Sequence, residues 1–261
     1  MFYKLLKRDL NRNMRWMWIL FVATIVIAGV SRGCKVLGEN MMFFKILGIF
    51  LDSVFYALAV NVVLQPFLRN FMNFSKSFYG DESYLTHTLP VTKKQLVDSK
   101  VLTALIEIVL GFLTLVASLL IMYATPTMLD TLKLILSTAI IGEFSLVGTL
   151  TLFIVLVVIE FLMFMSIIFF SMVLAYRARE KKGLKTFLLT AAFALAASTV
   201  LSSVLVVILL INGVDLTTTT MLLSSNLMLA VVISGIVVYS LVTILFYLLT
   251  RREFSKGVNV D

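Results

Sequence analysis

The chain has 261 residues, 61% of them hydrophobic and 14% charged, with a formal net charge of +8 and a mean hydropathy of +1.06. A soluble domain is only roughly half apolar and roughly a quarter charged, so a water-soluble fold is excluded and lipid must solvate most of this surface. One cysteine (Cys34) and one histidine (His87) exclude an intrachain disulfide, a multi-cysteine metal site and a zinc site built on paired histidines.

In chain order, the first segment, MFYKLLKRDLNRNMR, sets Phe2, Leu6, Leu10 and Met14 four apart and Lys4, Arg8, Arg12 and Arg15 on another face. That pattern predicts an amphipathic helix over 1–15 lying in the inner leaflet. The rival is a cleavable signal peptide with Val26-Ile27-Ala28 as its cleavage site, against which stand the long charged segment and the five further spans that follow. The first span is Trp16–Ser31, ending beside Gly29 and Gly33, a small-residue pair that permits close helix approach. The second is Phe43–Phe67, with Asp52 in its outer half and Lys45 two turns away on roughly the same face as its expected partner.

Next comes a polar island, FYGDESYLTHTLPVTKKQLVDSK (78–100). Gly80 is placed to break the helix descending from the second span, and Asp81 to cap a new one with Glu82 near its positive end. Pro90 removes a donor and pushes Leu89 out of helical geometry, so the new helix runs from Glu82 to Thr88. Thr92 to Gln95 then reads as a capping box, with Val91 and Leu96 as its hydrophobic staple, opening the third span at a defined residue. Tyr84, Leu85 and Leu89 are apolar groups beside carboxylates and His87. Two readings fit that mixture: a surface for a groove on a soluble partner, or an interfacial loop resting on lipid headgroups.

The third span is Leu96–Tyr123, with Glu107 in its inner half. Met128–Ile141 reads as an outer interfacial or re-entrant helix, with Thr127 as its N-cap, in preference to a seventh crossing. The fourth span, Leu146–Tyr176, carries Glu160 near its centre. The fifth, Phe187–Ile211, has an Ala-rich packing face at Ala191–Ser198, and the sixth is Leu227–Leu249. Acids inside spans are costly, so Asp52, Glu107 and Glu160 are either structural or line a path for a cationic or amphipathic substrate. Glu160, at the midplane, is the one that most favours a path.

The expected fold is therefore an all-α integral membrane protein of six transmembrane helices with both termini cytoplasmic. Its parts are the interfacial helix (1–15), a transmembrane domain (16–250) containing the segment 78–92, and a short tail (251–261). Orientation follows from charge: 18 of the 22 Lys and Arg fall on the side of the termini, leaving Arg32, Lys35, Lys45 and Lys133 on the other. The positive charge is read as facing anionic lipid, and no nucleic-acid partner is expected, because no basic stretch has interleaved aromatics on a soluble platform.

This layout resembles the permease subunits of type-2 ABC exporters. The stretch Asp81–Lys100 is similar to that family's pattern, in which an acidic pair is followed by Leu-Pro-Val-[Ser/Thr]-basic-basic and a Lys entering the third span. The likeness covers the whole chain in layout but only 81–100 in motif. It implies a coupling helix made of Gly80, Asp81, Glu82, Tyr84, Leu85, His87, Thr88, Leu89 and Pro90, seated in the cleft of a separate ATPase subunit. It also implies a second permease chain, identical or related, and a place in the cytoplasmic membrane. The chain shows no GxxxxGK[ST], GxGxxG or GxSxG pattern and its tail is short. It is therefore not expected to be an enzyme or to bind a cofactor itself, with ATP and Mg held on the partner. The lack of a large outer insertion resembles compact members linked to antimicrobial-peptide export or resistance. The alternative is a gradient-driven secondary transporter or channel without an ATPase. An intramembrane protease is disfavoured, because His87 lies outside the spans and Asp52 is alone.

Overall fold

A chain in lipid must satisfy every backbone N–H and C=O within its own segment, and apolar runs of this length do so as helices. In a computed structural model, residues 2–38, 41–80, 82–88, 90–123, 140–141, 144–177, 182–212 and 225–256 are described. They form α1 (Phe2–Gly38), α2 (Met42–Tyr79), α3 (Ser83–Thr88), α4 (Lys93–Tyr123), α5 (Leu146–Ala175), α6 (Lys182–Ile211) and α7 (Ser225–Ser255). A two-residue antiparallel pairing, Ile140–Ile141 with Phe144–Ser145, precedes α5. Six helices, all but α3, are long and apolar enough to cross a membrane, which makes this a multi-pass membrane protein. The expected outer helix at Met128–Ile141 and the connection Asn212–Thr220 lie largely outside the described residues.

The N-terminal segment differs from expectation. Phe2–Gly38 is one helix, roughly 55 Å long at 1.5 Å per residue against a hydrocarbon core of about 30 Å. Nothing between Arg15 and Trp16 breaks it, since no Gly or Pro occurs before Gly29. The amphipathic start is thus the continuation of the first span, and its buried face is Leu5, Asp9, Asn13, Met14 and Met17, with Phe2, Leu6 and Leu10 only half-buried.

The chain divides into two units, 1–130 and 131–261. In the first, α1 packs against both α2 and α4, which also touch each other. Its buried stripe, Met14, Met17, Phe21, Thr24, Ala28 and Ser31, repeats at three and four residues, the spacing of one helix face. Met17 and Phe21 meet Val62 of α2, and Ala28 meets Phe55 and Ala59 of α2 and Met122 of α4. The buried hydroxyl of Thr24 donates to the Leu20 carbonyl at 2.8 Å, so no polar group is stranded there. Pro66 lies inside α2 and lacks the N–H that would bond the Val62 carbonyl. Gly111 of α4 comes in against that carbonyl; a Cβ on it would stand 3.0 Å from the oxygen.

In the second unit, α5 packs on α6 and α7, which also touch each other. Its core takes one ring from each helix: Phe170, Phe193 and Phe246, with centroids 5.4–5.5 Å apart. Lipid supplies no hydrophobic drive between spans, so such packing carries the association, at about 0.5–1.5 kcal/mol per aromatic pair. At one end the Arg177 guanidinium meets Glu253 at 2.6 Å, with Lys256 on the same carboxylate. The Ala-rich face of α6 is used only in part: Ala197 is buried, whereas Ala192, Ala196 and Ser198 are exposed. Only 6% of the most apolar window of α6 is buried, against 22–33% in the other five, so α6 is the least covered helix.

Candidate functional site

The polar island keeps its short helix. Gly80 ends α2 in an extended conformation, its N–H bonded to the Lys76 carbonyl at 3.2 Å. The chain turns so tightly that a Cβ at Gly80 would sit 3.1 Å from that same oxygen, which accounts for glycine there. The Glu82 carbonyl then accepts from the Thr86 N–H at 3.0 Å and the Thr86 hydroxyl at 2.9 Å, giving Glu82 the position that opens α3. Asp81 and Leu89 lie outside the described residues, as do the side chains of Leu85 and His87. Of the rest of α3, Ser83 and Thr86 are buried while Thr88 is exposed, and Tyr84 is 79% exposed. Pro90 is exposed in the bend that follows.

The capping box is present as the sequence predicts. The Thr92 N–H donates to Gln95 Oε1 at 3.2 Å, and the Gln95 N–H donates to Thr92 Oγ1 at 3.3 Å. Leu96, the expected staple residue, is buried. The third long helix thus starts where its local chemistry sets it, at Lys93.

Between these fixed ends lies a network that joins Glu82 and Lys100 of the polar island to side chains that sequence reasoning did not single out, Asp9, Ser77 and Ser99. Asp9 of α1, buried, meets Lys100 Nζ of α4 at 3.1 Å and accepts from Ser99 Oγ at 3.0 Å. Lys100, also buried, donates to Ser77 Oγ of α2 at 3.2 Å. Arg12 donates to the same hydroxyl at 3.1 Å and to Glu82 Oε2 at 2.6 Å. Ser77 in turn donates to Glu82 at 3.4 Å. A continuous path of charge-assisted bonds therefore links α4, α1, α2 and the start of α3.

A second layer lies deeper along the same faces. Asn70, seven residues before Ser77, donates to Glu107 Oε2 at 2.6 Å and to the Pro66 carbonyl at 2.8 Å. Glu107, seven residues beyond Lys100, is fully buried. Asn13, one turn beyond Asp9, accepts from Asn73. Residues seven apart share a helix face, so the two layers are stacked between the same three helices.

Within the first unit, the two acids proposed for its spans, Asp52 and Glu107, do not converge. Glu107 belongs to the network just described. Asp52 sits at the opposite end of the first unit, where Lys35 of α1 meets it at 2.9 Å and Ser31 donates to it. Its partner is thus Lys35 across the helix pair and not Lys45 on its own helix; Lys45 instead crosses Gly38, where a Cβ would lie 3.0 Å from the Lys45 backbone. Lys35 also lies 5.4 Å from the centre of the Tyr123 ring, and Tyr123 and Tyr56 share a hydrogen bond. Glu160 is in the second unit, half-buried on α5, with Tyr239 of α7 as its hydrogen-bonding neighbour.

Clues to the Asp9–Lys100 pairing were present. Asp9 is the only acid in the first 38 residues, and Lys100 is the last cation before the apolar run of the third span. A charge at the edge of an apolar run needs a partner once it is buried. No group of three or more metal-ligating side chains occurs among the described residues. No protein family, curated protein or solved structure matches the chain.

Proposed function

We propose that this chain is the membrane permease subunit of an ATP-driven exporter of the type-2 ABC class, set in the cytoplasmic membrane with both termini in the cytoplasm. The observation that carries this reading is the attachment of α3. It is a two-turn helix outside the spans, joined to α2 through Gly80, to α4 through the Thr92–Gln95 box, and to α1 through Arg12. A push on such an element is delivered to three membrane helices at once. Its other face presents Tyr84, an aromatic of the type enriched where proteins meet proteins.

In this account a separate ATPase subunit holds ATP and Mg and receives α3 in a cleft. Closure of the ATPases shifts α3, and the network around Asp9 and Lys100 passes the shift to α1, α2 and α4. A second permease chain completes the pathway, and α6, the least covered helix, offers a surface for it. The resemblance of 81–100 to the exporter pattern supports the same reading and gives the substrate class only by analogy.

The test is affinity purification of the tagged chain from membranes of its native host, for wild type and Glu82→Lys. The proposal expects an ATP-hydrolysing P-loop subunit to copurify with wild type and to be lost or weakened in the variant, with insertion unchanged. Absence of such a subunit from both preparations would favour a gradient-driven transporter.

A further inference from the structure

On the outside of the α1–α2 pair lies a cleft of about 330 Å³, lined among others by Trp16, Leu20 and Ala23 of α1 and Leu58, Gln65 and Arg69 of α2. Its volume falls within the range of small-ligand clefts, roughly 300–1,000 Å³. The two helices run antiparallel, which brings Trp16 and Arg69 to the same end of the cleft and leaves Leu20, Ala23 and Leu58 along its length. Trp16 marks the level where indole rings meet lipid headgroups.

Arg69 is half-buried, and its Nε donates to Gln65 Oε1 at 3.4 Å, which steadies the side chain. Its Nη atoms make no hydrogen bond with the described residues. Glu107 of α4 is within electrostatic range but takes its hydrogen bond from Asn70. A guanidinium in this position, less hydrated than an ammonium and shaped for two parallel bonds, suits a phosphate. With only its Nε bonded, and to an uncharged amide, Arg69 carries a positive charge that no carboxylate bonds among the described residues, which favours a headgroup with net negative charge over a zwitterionic one.

We infer that the cleft binds one anionic phospholipid, its phosphate on Arg69 and an acyl chain along Leu20, Ala23 and Leu58. The site is on α1 and α2 and is independent of any ATPase partner.

Trp16 and Trp18 are the only tryptophans, so Trp18→Phe leaves a single reporter at the cleft mouth. The full chain carrying that change is reconstituted in phosphatidylcholine bilayers, and small fractions of brominated phosphatidylglycerol or brominated phosphatidylcholine are added. Quenching of Trp16 is expected to show about a fivefold preference for the anionic lipid, the effect of one basic side chain at an anionic headgroup. Arg69→Gln removes the preference, Arg69→Lys retains most of it, and Arg15→Gln, exposed and outside the cleft, leaves it intact. Equal quenching by the two lipids overturns the inference. So does a preference that survives Arg69→Gln, which would assign it to the general positive charge of that end. If Arg69→Gln does not fold, Ala23→Phe decides, because filling the cleft must abolish the preference and its persistence refutes the site.

Discussion

The Arg12 guanidinium and the Glu82 carboxylate meet at 2.6 Å although 70 residues separate them. This contact joins the beginning of the chain to the helix between the second and third long helices. Both side chains are about a third or more exposed, so the pair is worth about 0–1 kcal/mol and its role is positional. Arg12→Glu should therefore loosen α3 without unfolding the unit. Amide exchange over Ser83–Thr88 is expected to quicken by up to about fivefold and to return towards wild type in Arg12→Glu/Glu82→Arg. Unchanged exchange in the single variant would show that Ser77 alone holds α3.

The Asp9–Lys100 pair behaves differently because both members are buried. Lys100→Met strands a carboxylate whose nearest remaining cation, Arg8, is 3.5 Å away and half in solvent. Removal of one partner of a buried pair costs about 3–5 kcal/mol, whereas replacing both with uncharged groups of similar size costs far less. Reversible unfolding in mixed micelles should show a large loss for Lys100→Met and a substantial recovery in Asp9→Asn/Lys100→Met. Single and double variants of equal stability would remove the pair from the role of fastener.

Two glycines of the first unit separate packing from propensity. At Gly111 a methyl group would press on the Val62 carbonyl at 3.0 Å, whereas at Gly29 nothing lies within 4 Å. Gly111→Ala is expected to destabilise by about 1–3 kcal/mol as α2 and α4 are forced apart. Gly29→Ala should be neutral or slightly stabilising, since Ala is the better helix former by about 0.5–1 kcal/mol. Thermal unfolding in detergent checks both, and equal midpoints for the two variants would contradict the close approach at Gly111.

Local chemistry made part of this structure legible in the sequence. The six long helices announce themselves as apolar runs too long for anything but lipid. Thr92 and Gln95 are three residues apart and need only each other, so their box could be written from the sequence and is found. Gly80 and Pro90 bracket α3 by backbone constraints that act within a few residues. The pairings that fasten the unit are of another kind. Ser99 bonds Asp9 across 90 residues, and Lys35 takes Asp52 from the neighbouring helix while Lys45, the local choice, lies elsewhere. Such partners depend on how helices are turned towards each other, which spacing along one helix does not encode. The same limit explains the N-terminal segment. Its charges mark an interface, but no residue in it stops the helix, so the backbone runs on into the span.

A coupling role for α3 depends on what it touches, and the Tyr84 side chain, 79% exposed, stands clear of the rest of the unit. The most direct measurement is site-specific photo-crosslinking from position 84, with benzoylphenylalanine in place of Tyr84, in membranes of the native host. If α3 is a coupling helix, a single dominant adduct forms with a P-loop ATPase subunit, and its yield changes when ATP is withheld. Adducts with lipid alone, or with another copy of this chain, would contradict it and leave α3 as an interfacial loop.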